Sequence, residues 1–339
     1  MNNSIVHDHQ DSDLFGLIYG FRFLPGERGR EIDSAAALEC LHTPGDPEEF
    51  IWLHLNLAHA GCQRWMKSHL ELPEEFFEAL HEGSRSTRIE HIDSSLLAVV
   101  NDVVFNFGMV SSDISTLWVC TRSHMMISVR LQPLHSVDRL RHSVKRGEFF
   151  RSPLELLVHL LRDQGEVLEQ IVRKTTVSVD QIEDQLLSSR LSDNRADLGA
   201  MRRVLVRLHR LLALEPRSLL RLLNRPPAWF QKEDVQELRK STDESALVIS
   251  DLTALGERIK LLQEEIAAKL NEQSSRTLFT LTVVTVLALP INIIAGFFGM
   301  NVGGIPLATD PEGFWVLVAL VATFTLLAGR WAFRKRDDY

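Results

Sequence analysis

Two apolar stretches near the C-terminus decide the class of fold. Residues 277–300 read TLFTLTVVTVLALPINIIAGFFGM, and residues 314–333 read FWVLVALVATFTLLAGRWAF, with Arg330 as the only charged residue of the two. Each stretch reaches the roughly 20 apolar residues that cross the ~30 Å hydrocarbon core of a bilayer. The sequence therefore predicts two transmembrane helices, at 277–300 and 314–333, and argues against a purely soluble fold.

Charges beside these stretches predict their orientation. The connecting loop, residues 301–313, has no Lys or Arg and carries Asp310 and Glu312, whereas Arg276 precedes the first span and a basic tail, residues 334–339, follows the second. Because positive residues favour the cytosolic side, we expect both termini in the cytosol and the acidic loop outside. The first 13 residues lack a basic region followed by an apolar run, so we expect no signal peptide.

The charge balance excludes some partners. The 339 residues carry a net charge of -8, and residues 278–339 hold four basic and four acidic residues, so the whole excess lies on residues 1–277. An acidic body repels nucleic acid and attracts cations, so no nucleic-acid partner is expected. Three scattered cysteines predict neither a disulfide framework nor a Cys-x-x-Cys metal pair.

The N-terminal part, residues 1–150, is predicted to be a cytosolic α/β domain. A helical stretch, Cys62 to His81, is expected to break at Pro73. Alternating or continuous apolar runs of the strand type lie on both sides of it. These runs are Leu14 to Leu24, Phe50 to Leu57, Leu96 to Phe107, Thr116 to Thr121 and Met125 to Leu131.

From Pro153 onward the apolar spacing becomes helical. Residues 151–230 predict a long antiparallel helical hairpin, whose second arm runs from about Asn194 to Leu223 and ends before two prolines. Residues 231–276 predict a stalk helix that continues into the first span, since no proline occurs from Gln231 until Pro290. Such a helix would be on the order of 100 Å long. Repeats of this length are typical of a coiled-coil or oligomeric helix.

One face of the first span and stalk collects polar and small residues. Alternating steps of three and four lead back from Gly299 through Gly296, Asn292, Leu289, Thr285, Thr282, Leu278, Ser275, Asn271, Glu264 and Glu257. An unsatisfied amide such as that of Asn292 is costly in lipid, so we expect this face to line water or another chain. Close packing of small residues is the alternative interpretation. Both interpretations require an oligomer, because two spans cannot enclose a pore.

The end of the first span carries a family resemblance. Gly299, Met300 and Asn301 form a Gly-Met-Asn triplet, and the sequence Val-Gly-Gly-Ile-Pro follows at 302–306. This arrangement resembles the CorA superfamily of divalent-cation transporters, and within it the zinc-transporting ZntB branch. The resemblance implies a homopentameric funnel in a bacterial-type inner membrane. It also implies that Gly299, Met300 and Asn301 make the ion's first contact at the outer mouth.

The transported ion is predicted from the residues that follow the triplet, and its hydration from the residues of this face. Magnesium-type members usually follow the triplet with Met-Pro-Glu-Leu, and the absence of that glutamate favours zinc, with cobalt, nickel and cadmium as further candidates. All 13 histidines lie at or before His209 and all three cysteines before residue 121. The face offers amides, hydroxyls and occasional carboxylates, which suit a cation that keeps its water shell. We therefore expect a transient hydrated cation at Asn301 and no tight metal site.

The predicted class is thus an α+β membrane protein that transports zinc through a central pore, with a bilayer and copies of itself as partners. The resemblance suggests uptake, assisted by protons. A magnesium/cobalt channel gated by cytosolic magnesium remains an alternative, and a non-conducting membrane-anchored scaffold or sensor is a second one. No enzyme signature is present: the sequence has no GxSxG, Walker or HExxH motif, and no cofactor is expected.

Overall fold

The computed structural model describes residues 15–43, 45–82, 88–103, 114–187, 195–300 and 311–336. The chain divides into two compact units, which meet in sequence between Leu261 and Leu262. The first unit contains the α/β domain and the helical hairpin. The second contains the C-terminal part of the stalk helix and the predicted spans.

A mixed seven-stranded sheet forms the centre of the first unit. Its strands lie in the order β2-β1-β3-β7-β6-β5-β4, and every neighbouring pair is antiparallel except β3 and β7. The strands are β1 (Leu17–Phe23), β2 (Arg30–Ile32), β3 (Phe50–Asn56), β4 (Arg88–Ile92), β5 (Ser95–Val103), β6 (Ile114–Arg122) and β7 (Met125–Arg130).

Helices cover both faces of this sheet and produce two apolar cores. On one face lie α1 (Ser34–His42), α2 (Cys62–His69) and α3 (Glu74–Glu82), packed on residues such as Leu53 and Trp118. On the other face, α4 (His135–Arg146) and α5 (Pro153–Leu187) pack on residues such as Trp52 and Val119. Because β3 and β5 are buried on both faces, their sequences are almost continuously apolar rather than alternating.

The C-terminal half consists of long helices. These are α6 (Arg195–Leu212), α7 (Glu215–Leu223), α8 (Lys232–Phe298) and α9 (Gly313–Arg336). Gln164 of α5 contacts Glu215 of α7, so the second arm of the hairpin returns antiparallel to the first. Arg258 of α8 pairs with Asp180 and Glu183 of α5, and Ser152 before α5 bonds Asp234 at the start of α8, so these two helices run parallel.

The five predicted strands are confirmed with shifted ends, although Leu14 of the first and residues 104–107 of the third lie outside the described residues. The break at Pro73 is also confirmed, because α2 ends at His69 and α3 begins at Glu74. The second arm of the hairpin was wrongly predicted as one helix. It is two helices, α6 and α7, because Pro216 has no N–H to bond the preceding turn.

Candidate ion-permeation face

Helix α8 carries a face that repeats every seven residues and is exposed along its whole length in the single chain. It consists of two series of residues, which together we call the heptad face. One series is Asp243, Ser250, Glu257, Glu264, Asn271, Leu278, Thr285, Asn292 and Gly299. The other is Leu247, Ala254, Leu261, Ala268, Ser275, Thr282, Leu289 and Gly296. Every candidate pore residue on α8 belongs to these series.

Other faces of α8 contain buried residues, whereas the heptad face contains none. Leu252, Leu255 and Ile259 are buried, as are Leu262 and Ile266 further along. Within the predicted span, half-buried residues recur at helical spacing at Val283, Leu287, Ile291 and Ile294. Between Asn271 and Thr282 all residues are exposed, so there the face is distinguished by its polar residues alone.

Exposed leucines on the heptad face indicate that another surface covers it. Leu247 is 67% exposed, Leu261 64%, Leu278 60% and Leu289 60%. Large apolar side chains on a repeat of 3.5 residues are the pattern by which helices associate in a left-handed supercoil. The stalk part of the face lies outside the apolar span, so lipid does not account for Leu247 and Leu261.

The hydroxyl groups in the span present acceptor oxygens. Thr282 Oγ1 donates a hydrogen bond to the carbonyl of Leu278 at 2.8 Å, and Thr285 Oγ1 donates to the carbonyl of Leu281 at 2.8 Å. Since each hydroxyl hydrogen is used within the helix, the lone pairs of both oxygens remain available. With the exposed amide of Asn292, they form an oxygen surface that can accept hydrogen bonds from the water shell of a cation.

The stalk part of the heptad face contributes negative charge. Glu257 lies 3.7 Å from Lys260 Nζ, a contact within one turn of the same helix. Glu264 has no ion-pair partner among the residues that the structure describes. Exposed carboxylates of this kind raise the local concentration of cations, and do so more strongly when copies of the face surround one axis.

The outer end of α8 is only partly described. After Phe298, the N–H of Gly299 bonds the carbonyl of Ala295 at 2.9 Å and that of Met300 bonds Phe297 at 3.4 Å, so the last turn continues the helix. A Cβ on Gly299 would lie 3.1 Å from the carbonyl oxygen of Ala295, tighter than most such contacts. Asn301 and Asp310 lie outside the described residues. The role predicted for the Gly-Met-Asn triplet therefore stays a prediction.

Glu312, the second acid of the predicted outer loop, lies just before α9. Its side chain is exposed, and its backbone carbonyl accepts hydrogen bonds from the N–H groups of Trp315 at 3.0 Å and Val316 at 3.2 Å. The residue therefore helps to form the first turn of α9. Its contact with a transported ion stays a prediction.

A buried polar network that the sequence did not predict joins the sheet to the hairpin. Glu215 accepts a hydrogen bond from the backbone N–H of Asn101 at 3.0 Å and another from Gln164 Nε2 at 3.0 Å. The pKa of Glu215 is raised to about 8, mainly by burial; the two hydrogen bonds act to lower the pKa, and the nearby Asp102 acts to raise it. Near neutral pH this carboxyl group is therefore largely protonated.

Histidine positions in the body do not assemble a metal site. His54 is buried on β3, where Arg130 Nε donates to its Nε2 at 2.9 Å and its Nδ1 lies 2.8 Å from Ser128 Oγ. Burial and the nearby Arg130 and Arg141 lower the pKa of His54, so the ring is neutral, with its proton on Nδ1. Among the described residues, no group of three His, Cys, Asp or Glu side chains is arranged to hold a metal ion.

Length and composition identify one helix that could cross a membrane. In the part of the chain that the structure describes, this is α8, whose most apolar 18-residue window has a mean hydropathy of 2.2 and is not buried. A shorter apolar stretch, Gly313–Leu327, lies in α9. These are the two stretches from which the sequence predicted transmembrane helices.

The apolar C-terminal helices indicate a membrane protein, and comparison with known proteins identifies its family. Residues 47–335 match the family model described as CorA-like Mg2+ transporter protein. The chain therefore belongs to the CorA family, whose members are membrane transporters of divalent cations, and not to a class of enzymes.

Individual relatives support this assignment. The chain is 28% identical over 334 residues to the divalent cation transporter CmaX of Pseudomonas aeruginosa, which covers 96% of this chain and 98% of that relative. It is 22% identical over 284 residues to the zinc transport protein ZntB of Yersinia enterocolitica, covering 84% of this chain and 86% of that relative.

Solved structures show the same fold. The structure of full-length CmaX matches with a TM-score of 0.81 at 27% identity and covers 95% of this chain and 99% of that chain. The CorA magnesium transporter from Methanocaldococcus jannaschii matches with a TM-score of 0.74 at 18% identity, covering 92% and 96%. Both cover almost the entire chain, so the predicted sequence of α/β domain, long helices and apolar C-terminal helices is confirmed as the CorA-like fold.

Proposed function

We propose that this protein transports zinc through a central pore in a homopentamer, with the heptad face of α8 lining the pore. The observation that carries the proposal is the exposed face itself, which combines leucines with hydroxyls, amides and carboxylates at positions that repeat every seven residues. A helix packed only for stability would show a uniformly apolar seam. The leucines of the heptad face would hold the subunits together, and its polar oxygens would allow a hydrated ion to pass.

Assembly around one axis would cover the exposed leucines. Each fully buried leucine stabilises an assembly by roughly 1.5–3 kcal/mol relative to exposure. Leu247 and Leu261 would contribute in the stalk, and Leu278 and Leu289 in the span. The same symmetric assembly would bring the copies of Asn292 and Thr285 from each subunit together, so that their oxygens surround the axis.

The proposed pathway binds its ion weakly. Zinc held directly prefers His, Cys or carboxylate in a tetrahedral set, and the heptad face offers no His or Cys. Neutral oxygens that bond the hydration shell allow the ion to enter and leave without losing its water. Glu257 and Glu264 would concentrate cations at the stalk without a closed site.

The choice of zinc rests on the sequence after the triplet and on relatives. The chain has Val-Gly-Gly-Ile-Pro at 302–306, where magnesium-type members usually have Met-Pro-Glu-Leu. A relative at 22% identity is a zinc transport protein. A magnesium/cobalt channel is the second candidate, favoured by the description of the matching family model as a Mg2+ transporter.

Direction and orientation extend the proposal. The basic residues around the spans favour both termini in the cytosol of a bacterial-type cell, with the acidic loop in the periplasm. We propose uptake assisted by protons. The span part of the heptad face has no carboxylate or His, so proton coupling would depend on Glu257 or Glu264, or on Asp310 and Glu312.

Flux through proteoliposomes tests the function. Vesicles that contain the purified protein are loaded with either a zinc-sensitive or a magnesium-sensitive dye. The zinc-sensitive dye should report zinc entry, and this entry should be faster with an imposed inward proton gradient. Asn301→Ala should slow that entry. Magnesium entry without zinc entry would assign the magnesium/cobalt function instead. A flux that Asn301→Ala does not change, at background level in both dyes, would support the non-conducting scaffold.

A further inference from the structure

Helices α6 and α7 carry a concentration of positive charge that the transport mechanism does not use. Residues 195–225 contain eight arginines and only two acids, a net +6 in a chain whose total is -8. Six of the arginines are exposed at spacings of three, four or seven, and together we call them the arginine stripe. They are Arg203, Arg207, Arg210, Arg217, Arg221 and Arg225.

The arginine stripe continues across the junction between the two helices. Leu214 fills the position between Arg210 and Arg217, and its backbone stays in the right-handed helical region, with φ -84° and ψ -24°. The three-four spacing of the stripe is therefore kept from Arg210 to Arg217, and its 22 residue steps correspond to at most about 33 Å at 1.5 Å per helical residue. This length corresponds to about six helical turns of a partner.

Most of these arginines have no acidic partner among the residues that the structure describes. Within the described residues, no ion pair involves Arg203, Arg210, Arg217, Arg221 or Arg225. Exposed arginines on the other long helices behave differently, since Arg173 pairs with Glu169, Arg258 with Asp180 and Arg276 with Glu272. Glu215 is buried and directed to Asn101 and Gln164, so it does not neutralise the stripe.

Apolar side chains among the arginines indicate the chemistry of the partner. Val206 is 56% exposed, Leu214 49% and Leu220 38%. A nucleic acid or another phosphate chain would neutralise the charges and leave these side chains in water. An acidic amphipathic helix matches both features, because its carboxylates repeat at the same three-four spacing and its apolar residues can cover the three exposed ones.

A lipid surface fits less well. Helices that lie on membranes bury a continuous apolar face about 5–10 Å into the lipid. In α6 and α7 that face is already used inside the protein, where Leu205, Leu208, Leu212, Leu219 and Leu222 are buried. The scattered Val206, Leu214 and Leu220 do not form a second such face.

A second copy of this chain also fits less well. The exposed carboxylates Glu169 and Asp180 of α5 are already paired with arginines of the same chain. Asp243 and Glu264 of α8 belong to the heptad face, which the proposed pore uses. Exposed acids also recur along another face of α8, and four of them, Glu237, Glu244, Glu265 and Glu272, are already paired with basic residues of the same chain.

We propose that the arginine stripe is a docking surface for an acidic amphipathic helix of another protein. The proposal is independent of which ion the chain transports. It adds a protein partner to the transporter, on a surface separate from the heptad face of α8.

Two peptides of identical composition test the match of spacing. Both are Ala/Leu-based helices of about 25 residues with six glutamates, placed along one face in the first and distributed around the helix in the second. Fluorescence anisotropy with the full-length protein in detergent should give about tenfold tighter binding of the first peptide, with an affinity that falls as salt rises. Equal affinities for the two peptides would overturn the proposal.

A matched pair of double variants locates the site. R210E/R217E should weaken binding of the first peptide about tenfold or more, whereas R64E/R239E, the same charge change at exposed arginines of α2 and α8, should change it less than twofold. Equal losses would show that only net charge matters and would overturn the proposal. It would also be overturned if a DNA duplex or phosphatidylglycerol vesicles displaced the peptide in a stripe-dependent way, or if R210E/R217E changed the oligomer mass.

Discussion

Glu215 gives the sharpest prediction of how stability depends on pH. Its pKa is about 8 in the folded chain against 4.5 for an ordinary glutamate, so between these values the folded state holds a proton that the unfolded state has lost. The free energy of unfolding therefore falls as pH rises through this window, by about 1.36 kcal/mol per pH unit from this group. Between about pH 6 and about pH 8.5 the loss is about 2.5 kcal/mol, because the slope falls off as the pH passes the folded pKa.

Glu215→Gln removes the titration and keeps the shape. Gln is neutral at every pH, and its single carbonyl oxygen can accept only one of the hydrogen bonds from Asn101 and Gln164. The variant should be less stable than the wild type by about 1–3 kcal/mol at low pH. That difference should shrink by about 2.5 kcal/mol on going from about pH 6 to about pH 8.5, because only the wild type loses stability there.

Thermal unfolding of the full-length protein in detergent measures this change. For a unit of this size, about 1 kcal/mol corresponds to 2–4 °C, so the difference in Tm between wild type and variant should change by about 5–10 °C over the pH range. Glu78→Gln, an exposed position on α3, is the control and should show no such change. A difference between Glu215→Gln and wild type that does not vary with pH would refute the assignment of a protonated, buried Glu215.

Three further substitutions test separate parts of the structure. Leu261→Lys should dissociate the oligomer in detergent, seen as a lower mass by light scattering, while Leu131→Lys, at an exposed leucine outside the helices, should leave the mass unchanged. Arg258→Gln should cost about 0.5–1 kcal/mol and lose most of that effect at high salt, since its ion pairs with α5 are partly exposed. Gly147→Ala should lower the free energy of unfolding by about 1 kcal/mol, because Gly147 ends α4 at φ 89°; an unchanged Tm would contradict this.

The long helices were predictable because their periodicity is sustained. The three-four repeat of α8 persists from the stalk through the span with no proline before Pro290, and this predicts one continuous helix. The break between α6 and α7 was also marked in the sequence, by Pro216, but the strong apolar repeat on both sides concealed it. In this case the missing N–H of one proline outweighed the periodicity.

Short elements were missed for a different reason. The strands β2 and β4 are edge strands of three and five residues with mostly polar residues, so they show little apolar pattern. Helix α1 did have a signal, since Asp33 caps it by accepting a hydrogen bond from the N–H of Ala36. Helix α4 also had one, in the basic last turn followed by Gly147.

The features of the candidate site also differ in whether the sequence could predict them. The heptad face could be predicted because it lies on one helix and depends only on spacing. The network around Glu215 could not, because its partner Asn101 lies 114 residues away and meets it only through the packing of β5 against the hairpin. The arginine stripe was visible in the sequence, but only the structure shows that most of its members have no acidic partner in the described part of the chain.

One pair of variants tests most directly whether the heptad face lines the ion pathway. Thr285 lies on this face and Thr280 does not, yet each hydroxyl donates to the carbonyl four residues earlier, at 2.8 Å and 2.9 Å. Both are changed to Val, which keeps the shape and removes the oxygen, and zinc flux into proteoliposomes is compared at equal oligomer mass. We expect Thr285→Val to slow the flux severalfold and Thr280→Val to leave it at the wild-type rate. Equal rates for the two variants, or a loss confined to Thr280→Val, would contradict it.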